Sequence, residues 1–142
     1  MGYGEASIKE LLADYKQRLA ESEAVLGVRV LHISPPTHEI VRDRLGGVKK
    51  IEKVSEPDYI RCGSVEFSPT EEFLKRVGIQ EKVDCVLIMS LSNVPENFDK
   101  INSRFILETS FRGSQEYKIK DTREFGHVGN EFIYLAIGLV TK

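Results

Sequence analysis

Arg104-Phe105-Ile106-Leu107-Glu108-Thr109-Ser110-Phe111, Arg112-Gly113-Ser114-Gln115, Glu116-Tyr117-Lys118-Ile119-Lys120 and, further on, Phe132-Ile133-Tyr134-Leu135-Ala136-Ile137-Gly138-Leu139-Val140 fill most of the last third of the chain. In the first segment Phe105, Leu107, Thr109 and Phe111 fall on alternate positions, which puts them on one face of a strand. Arg112 to Gln115 has the composition of a turn. Tyr117 and Ile119 alternate with charged residues and point inward. Gly126 and Gly129, with Asn130, predict a second and longer turn that uses positive φ. The closing segment is almost continuously apolar, the mark of a strand buried on both faces. Three strands joined by hairpin-length turns make an antiparallel meander.

Working back from it, Val83-Asp84-Cys85-Val86-Leu87-Ile88-Met89-Ser90 is the most apolar strand and the candidate centre of the sheet. Ser92-Asn93-Val94-Pro95 after it predicts a short helical turn. Before it, Ser68-Pro69-Thr70-Glu71 reads as a capping box with proline at the first helical position. Phe73, Leu74 and Val77 give that short helix a buried face, and Gly78 ends it. Tyr59 to Phe67 and Val28 to Ile33 are strand-like, the latter stopped by Pro35-Pro36. At the start of the chain, Ser7-Ile8-Lys9-Glu10 is a second capping box. Ile8, Leu11, Leu12, Tyr15, Leu19 and Leu26 then follow at helical spacing, which predicts an amphipathic helix over about residues 8–25 stopped at Gly27. The whole is one α+β domain over residues 1–142, mainly antiparallel β: a small barrel or sandwich with an N-terminal helix and one or two short helices.

Composition narrows the function. Of 142 residues, 41% are hydrophobic and 30% charged, ordinary for a globular domain, and the net charge of −2 gives no basic field for nucleic acid. The longest apolar runs fall far short of the roughly 20 residues that span a bilayer. The N-terminus has neither the basic nor the apolar region of a secretory signal, so the reading is a soluble chain made in the cytoplasm and not secreted. Cys62 and Cys85 sit in apolar strands and read as reduced core residues. His32, His38 and His127 are scattered. Ser7, Ser68 and Ser92 fall where helix caps are needed. Glu71-Glu72 reads as acids at a helix N-terminus. Gly126-His127-Val128-Gly129 lacks the Lys-Ser/Thr of a phosphate loop. No catalytic, cofactor-binding or metal residues are assigned, and the expectation is that the chain is not an enzyme. His38 with Glu39 and Asp43 is the weak metal candidate.

The segment from Thr37 to Asp58 differs from the rest. It holds ten charged residues in twenty-two. Its apolar residues Ile40, Val41, Leu45, Val48, Ile51 and Val54 fit neither period 2 nor period 3.6 over a useful length. It reads as a long excursion, a loose hairpin turning at Gly46-Gly47. Long loops inside compact domains are usually functional or disordered.

Two stretches resemble a known family. Val65 to Ile79, followed by Asp84-Cys85-Val86-Leu87, is similar to the strand, Pro-capped helix and Gly-Ile exit of tailed-bacteriophage neck proteins. Tyr117-Lys118-Ile119-Lys120-Asp121 and Phe132 to Leu139 resemble the closing hairpin of head-closure (stopper) or head–tail joining proteins. The resemblance covers about residues 59–142. It implies a small β-barrel that assembles as a homo-oligomeric ring of six or twelve copies in the virion, between portal- or adaptor-side and tail-side ring proteins. It implies also a loop that reaches into the channel and gates packaged DNA. Thr37–Asp58 is the segment in that place, with Arg42, Arg44, Lys49, Lys50 and Lys53 as lumen-facing charges, Gly46 and Gly47 as the tip, and non-specific contact with DNA. A tail-terminator ring and a small-barrel module for nucleic acid or ligand are the alternatives.

Overall fold

The computed structural model describes residues 5–54, 56–109 and 113–142. In chain order they form α1 (Glu5–Leu26), β1 (Val28–Ile33), β2 (Thr37–Arg42), β3 (Val48–Lys53), β4 (Asp58–Cys62), β5 (Ser64–Phe67), α2 (Glu71–Val77), β6 (Cys85–Ser90), a 3-10 turn (Leu91–Asn93), β7 (Arg104–Thr109), β8 (Gly113–Val128) and β9 (Glu131–Thr141). The fold is α+β and mainly antiparallel. Seven strands form one sheet in the order β4-β1-β7-β8-β9-β6-β5, and β2 and β3 form a separate two-stranded ribbon.

No ladder joins the two edges of the large sheet. They are instead consecutive pieces of one chain segment. The strand pairs with β1 as far as Cys62, opposite Val28, then turns at Gly63 and pairs with β6 from Ser64, opposite Ile88. Such a change of partner makes the corner of a sandwich. Glycine is required there because a Cβ at Gly63 would lie 2.9 Å from a Glu23 carboxylate oxygen. The Gly63 N–H donates to Ile88 O at 2.7 Å.

Two layers of core follow from this curl. One face of the sheet gathers Val30, Cys62, Leu87, Phe105, Tyr117 and Ile137 with their neighbours into the main core. The opposite face of β6 and β9 is covered by α2 and the segment after it, through Val77, Ile79 and Val83 against Val86 and Ala136. β6 and β9 are thus buried on both faces, as their uninterrupted apolar runs require. Each fully buried Leu, Ile, Val, Phe or Met contributes about 1.5–3 kcal/mol.

At the corner, α1 is fixed by a single buried carboxylate. Pairing with β6 begins only at Ser64, opposite Ile88, so Ser90 N–H has no strand neighbour on that side. Both oxygens of Glu23 accept from it at 2.9 Å, and Glu23 Oε2 accepts also from Asn93 Nδ2 at 2.6 Å. Asn93 Nδ2 reaches Ala20 O as well. Near its middle α1 is tied to the β8–β9 hairpin by an ion pair between Lys16 and Glu131.

Several local expectations are corrected. α1 begins at Glu5, so Ser7 stands inside the helix and not at its cap. Leu11, Tyr15 and Leu26, expected on the buried face of α1, are exposed. α1 turns the stripe through Leu12, Lys16, Leu19 and Glu23 toward the sheet, because the Glu23 clamp sets its rotation. For α2 the cap is Thr70, whose hydroxyl accepts from Phe73 N, rather than Ser68, which takes φ +49°. Ser92 lies within the 3-10 turn, whose N-cap position is Ser90 and carries no side-chain cap. β8 runs unbroken to Val128, so the longer turn expected around 126–129 shrinks to Gly129-Asn130. Gly126 does take positive φ, +76°, but inside the strand, where a Cβ would lie 2.9 Å from the Tyr134 ring. Asn130 does not share that conformation. Ser110, Phe111 and Arg112 lie outside the described residues.

Replacing Glu23 by alanine leaves Ser90 N–H and the Asn93 amide without their buried acceptor. The expected loss is about 3 kcal/mol, the upper range for hydrogen bonds to a charged group. It should appear as a lower urea midpoint with an unchanged m value. Glu23→Gln, which keeps one acceptor oxygen, should lose less. Cys62 and Cys85 are free thiols with no exposed surface. Burial first, then the nearby Glu23 carboxylate for Cys62 and the Cys62 sulfur for Cys85, pushes each thiol up to about 12. Thiolate is the reactive form. Native protein should therefore leave a colorimetric thiol reagent untouched, while denaturant should release both sulfurs together.

Candidate functional site

The excursion between β1 and β4 is an ordered hairpin. β2 and β3 pair in unbroken antiparallel register from Thr37↔Lys53 to Arg42↔Val48. The ribbon makes no extensive contact with any other element among the described residues. The expected loose hairpin is thus an ordered two-stranded ribbon, and its apolar residues follow no single face. Each strand does alternate, but every described side chain of β3 is exposed, so no apolar-in, polar-out pattern marks it.

The tip is built by Asp43. Its carboxylate accepts from Leu45 N at 2.9 Å and Gly47 N at 2.8 Å, and its backbone N–H donates to Gly47 O at 2.9 Å. Gly46 takes φ +78° as the chain reverses. The reversal therefore spans Asp43 to Gly47, three residues wider on the N-terminal side than the Gly46-Gly47 expectation allows for. Leu45 stands at its apex, 96% exposed, the most open large apolar residue described. It was not among the expected site residues. An apolar residue between Arg44 and two glycines gives no sequence signal by itself.

The register divides the expected cations. Directly opposed residues of an antiparallel pair share a face. Arg42 and Lys50 lie on one face, with Ile40, Val48, His38 and Glu52. Lys49 and Lys53 lie on the other, with Val41 and Ile51. Arg44 belongs to the tip. The cations thus form no single basic lining, and Glu52 and Asp43 stand among them. A strand's alternation forces this split on adjacent lysines such as Lys49-Lys50.

The metal candidate fails locally. The Asp43 carboxylate is engaged by backbone N–H groups of the tip, and the Glu39 side chain lies outside the described residues. Among the described residues no group of three or more His, Cys, Asp and Glu side chains is placed to hold a metal ion. No helix among them is long and apolar enough to cross a membrane. A groove of about 650 Å³ beside α2 has an apolar floor of Leu74 and Ile79 and a rim on which Glu71, Lys75, Glu81 and Lys82 offer both signs of charge. No Ser, Thr, Cys or His is among its lining residues.

One buried polar cluster lies outside the hairpin. His32, with no exposed surface, shares a hydrogen bond of 2.9 Å between Nε2 and Ser103 Oγ, and its ring packs between Phe98 and Phe105. Ser103 is placed by the Asp99 turn: Ser103 Oγ accepts from Asp99 N, while the Asp99 carboxylate accepts from Ile101 N and Asn102 N. His32 Nδ1 has no protein partner among the described residues. The cluster is a core contact that pins the 94–103 segment to β1.

No family model matches this chain, and neither the curated proteins nor the solved structures contain a match to it.

Burial holds the His32 imidazole below its ordinary value of 6.5, partly offset by Asp58, its cross-strand neighbour. The unfolded chain thus takes up this proton before the folded one does. The contribution is complete above the ordinary value and is lost as pH falls from there through the folded value. The urea midpoint of the native chain should fall as pH is lowered from about 7 through and below the ordinary histidine value. His32→Gln, which keeps a partner for Ser103 without a titrating ring, should show a flatter profile over that range.

Proposed function

We propose that this chain is a structural protein of a tailed-phage neck, forming a homo-oligomeric ring that closes the DNA-filled head and joins it to the tail. One observation carries the reading: the β2–β3 ribbon stands apart from the sheet with apolar side chains open on both faces, among them Ile40 and Val48 at 70% and 69% exposure. A lone two-stranded hairpin is marginal in water. Contiguous exposed apolar surface marks a contact with another macromolecule. Ring neighbours and the facing portal- and tail-side rings are the partners this reading supplies.

In that ring the tip of the hairpin, Arg44-Leu45-Gly46, reaches toward the channel. Residues 37–54 carry five Lys and Arg against three Asp and Glu. With the cations divided between two faces, contact with DNA is weak and non-specific, and permits sliding. No catalytic step or cofactor belongs to this role, and its site of action is the virion.

The test is the assembly state by mass-resolved chromatography, followed by negative-stain imaging. Rings with a central hole are expected, and replacing residues 37–54 by a short Gly-Ser link should abolish them while leaving the far-UV spectrum of the sheet in place. A monomer that binds single-stranded oligonucleotides tightly would overturn the neck reading in favour of a binding module.

A further inference from the structure

We infer that the Arg42/Lys50 face of the β2–β3 hairpin docks on the exposed stripe of α1 in a second copy of this chain, so that one copy's hairpin straps the next copy's helix. The inference rests on the ring reading and assigns the surfaces that would make its contacts.

The two surfaces match level by level in the sign of their charges, although on the hairpin the charged side chain changes strand after the first level, Arg42 being on β2 and Lys50 and Glu52 on β3. From tip to base the hairpin face presents Arg42 opposite Val48, then Ile40 opposite Lys50, then His38 opposite Glu52. The charges run plus, plus, minus, and an apolar side chain accompanies each of the first two. From its N-terminal half onward, α1 presents Glu10 beside Leu11, then Asp14 beside Tyr15, then Arg18. The charges run minus, minus, plus, again with an apolar side chain at each of the first two levels. Leu11 is 66% and Tyr15 49% exposed, and Glu10, Asp14 and Arg18 are open to solvent.

The spacings agree as well. Levels on a strand face are two residues apart, about 6.7 Å. Levels on a helix stripe are four residues apart, about 6 Å. Three levels therefore stay in step over the contact. Arg18 and Asp14 already pair along the helix at 3.1 Å, so docking adds partners to an ordered stripe. Ile40 and Val48 are diagonal neighbours on the hairpin face, and docking them on Leu11 and Tyr15 removes from water four of the open apolar side chains of the domain. The opposite hairpin face, with Val41 and Ile51 only 40% and 41% exposed, offers less apolar surface.

A second copy is the occupant because both halves of the contact are on every chain, while within one chain the hairpin makes no extensive contact with α1. Hairpin onto helix is a heterologous contact, which propagates head to tail and makes a ring where its rotation closes.

The buried native thiols make a clean test possible. Chains carrying Leu11→Cys are mixed with chains carrying Val48→Cys and oxidised mildly, with assembly state read on the wild-type chain in parallel. The expected product is a disulfide-linked pair containing one chain of each kind. Wild-type rings without that product would overturn the docking and leave the ring reading standing. Absence of both rings and product would overturn both. A cross-link formed within a single chain carrying both substitutions, at monomer mass, would also overturn it. As an independent measurement, Arg42→Glu with Lys50→Glu should weaken self-association on the order of tenfold or more, since like charges then face each other. Adding Glu10→Lys and Asp14→Lys to the same chain should restore it. Failure of the four-residue exchange to restore association while the circular-dichroism spectrum is native would overturn the pairing.

Discussion

The carboxylate of Glu23 lies at the point where the sheet would otherwise come apart. At Gly63 the chain stops following β1 and starts following β6, and this leaves Ser90 N–H facing a gap. A backbone donor buried without a partner costs about 1–3 kcal/mol. Glu23 fills the gap with two acceptor oxygens and also holds the Asn93 amide. The same contact sets the rotation of α1, and that rotation decides which of its apolar residues meet the sheet. Leu12 and Leu19 turn inward, and Leu11 and Tyr15 turn outward as a consequence.

Around that point the domain divides into a closed part and an open part. β6 and β9 are covered on both faces, and their side chains supply most of the tightly buried volume. The β2–β3 ribbon is covered on neither. The outer side of α1 resembles the ribbon in this respect. The open surfaces are consistent in chemistry: each combines exposed apolar side chains with charges of both signs. A surface of that kind stays soluble in a single copy and remains adhesive toward a complementary one.

The closed part was legible in the amino-acid sequence, because burial writes itself as periodicity. Tyr117 and Ile119 alternate and point inward, the 132–140 run lacks alternation and is buried twice, and Gly78 ends α2 in the left-handed conformation as its position predicted. The open part was not. With both faces of β3 wet, selection for apolar alternation is absent, and the strand looks like a charged loop. Glu23 was also hidden, since one acid among many on a charged helix carries no mark of its burial. The capping of α2 was misplaced by two residues because Ser68 and Thr70 both carry suitable hydroxyls, and only the backbone turn at Ser68 decides between them. Gly126 was read as a turn residue for the right conformation and the wrong reason: the Tyr134 ring excludes a side chain there.

The roots of the hairpin have a further consequence. The chain leaves the sheet at the end of β1 and re-enters it at Asp58, which is the ladder partner of His32. Exit and return are thus neighbours in one antiparallel pair, and everything between them is a closed detour. Chain entropy penalises such a detour only weakly, by about 0.6 kcal/mol for each doubling of length. Insertions, deletions and wholesale replacement of residues 37–54 can therefore accumulate over generations without touching the register of β1 and β4. The sheet is in this sense a fixed socket and the hairpin an arm that can be exchanged without rebuilding it.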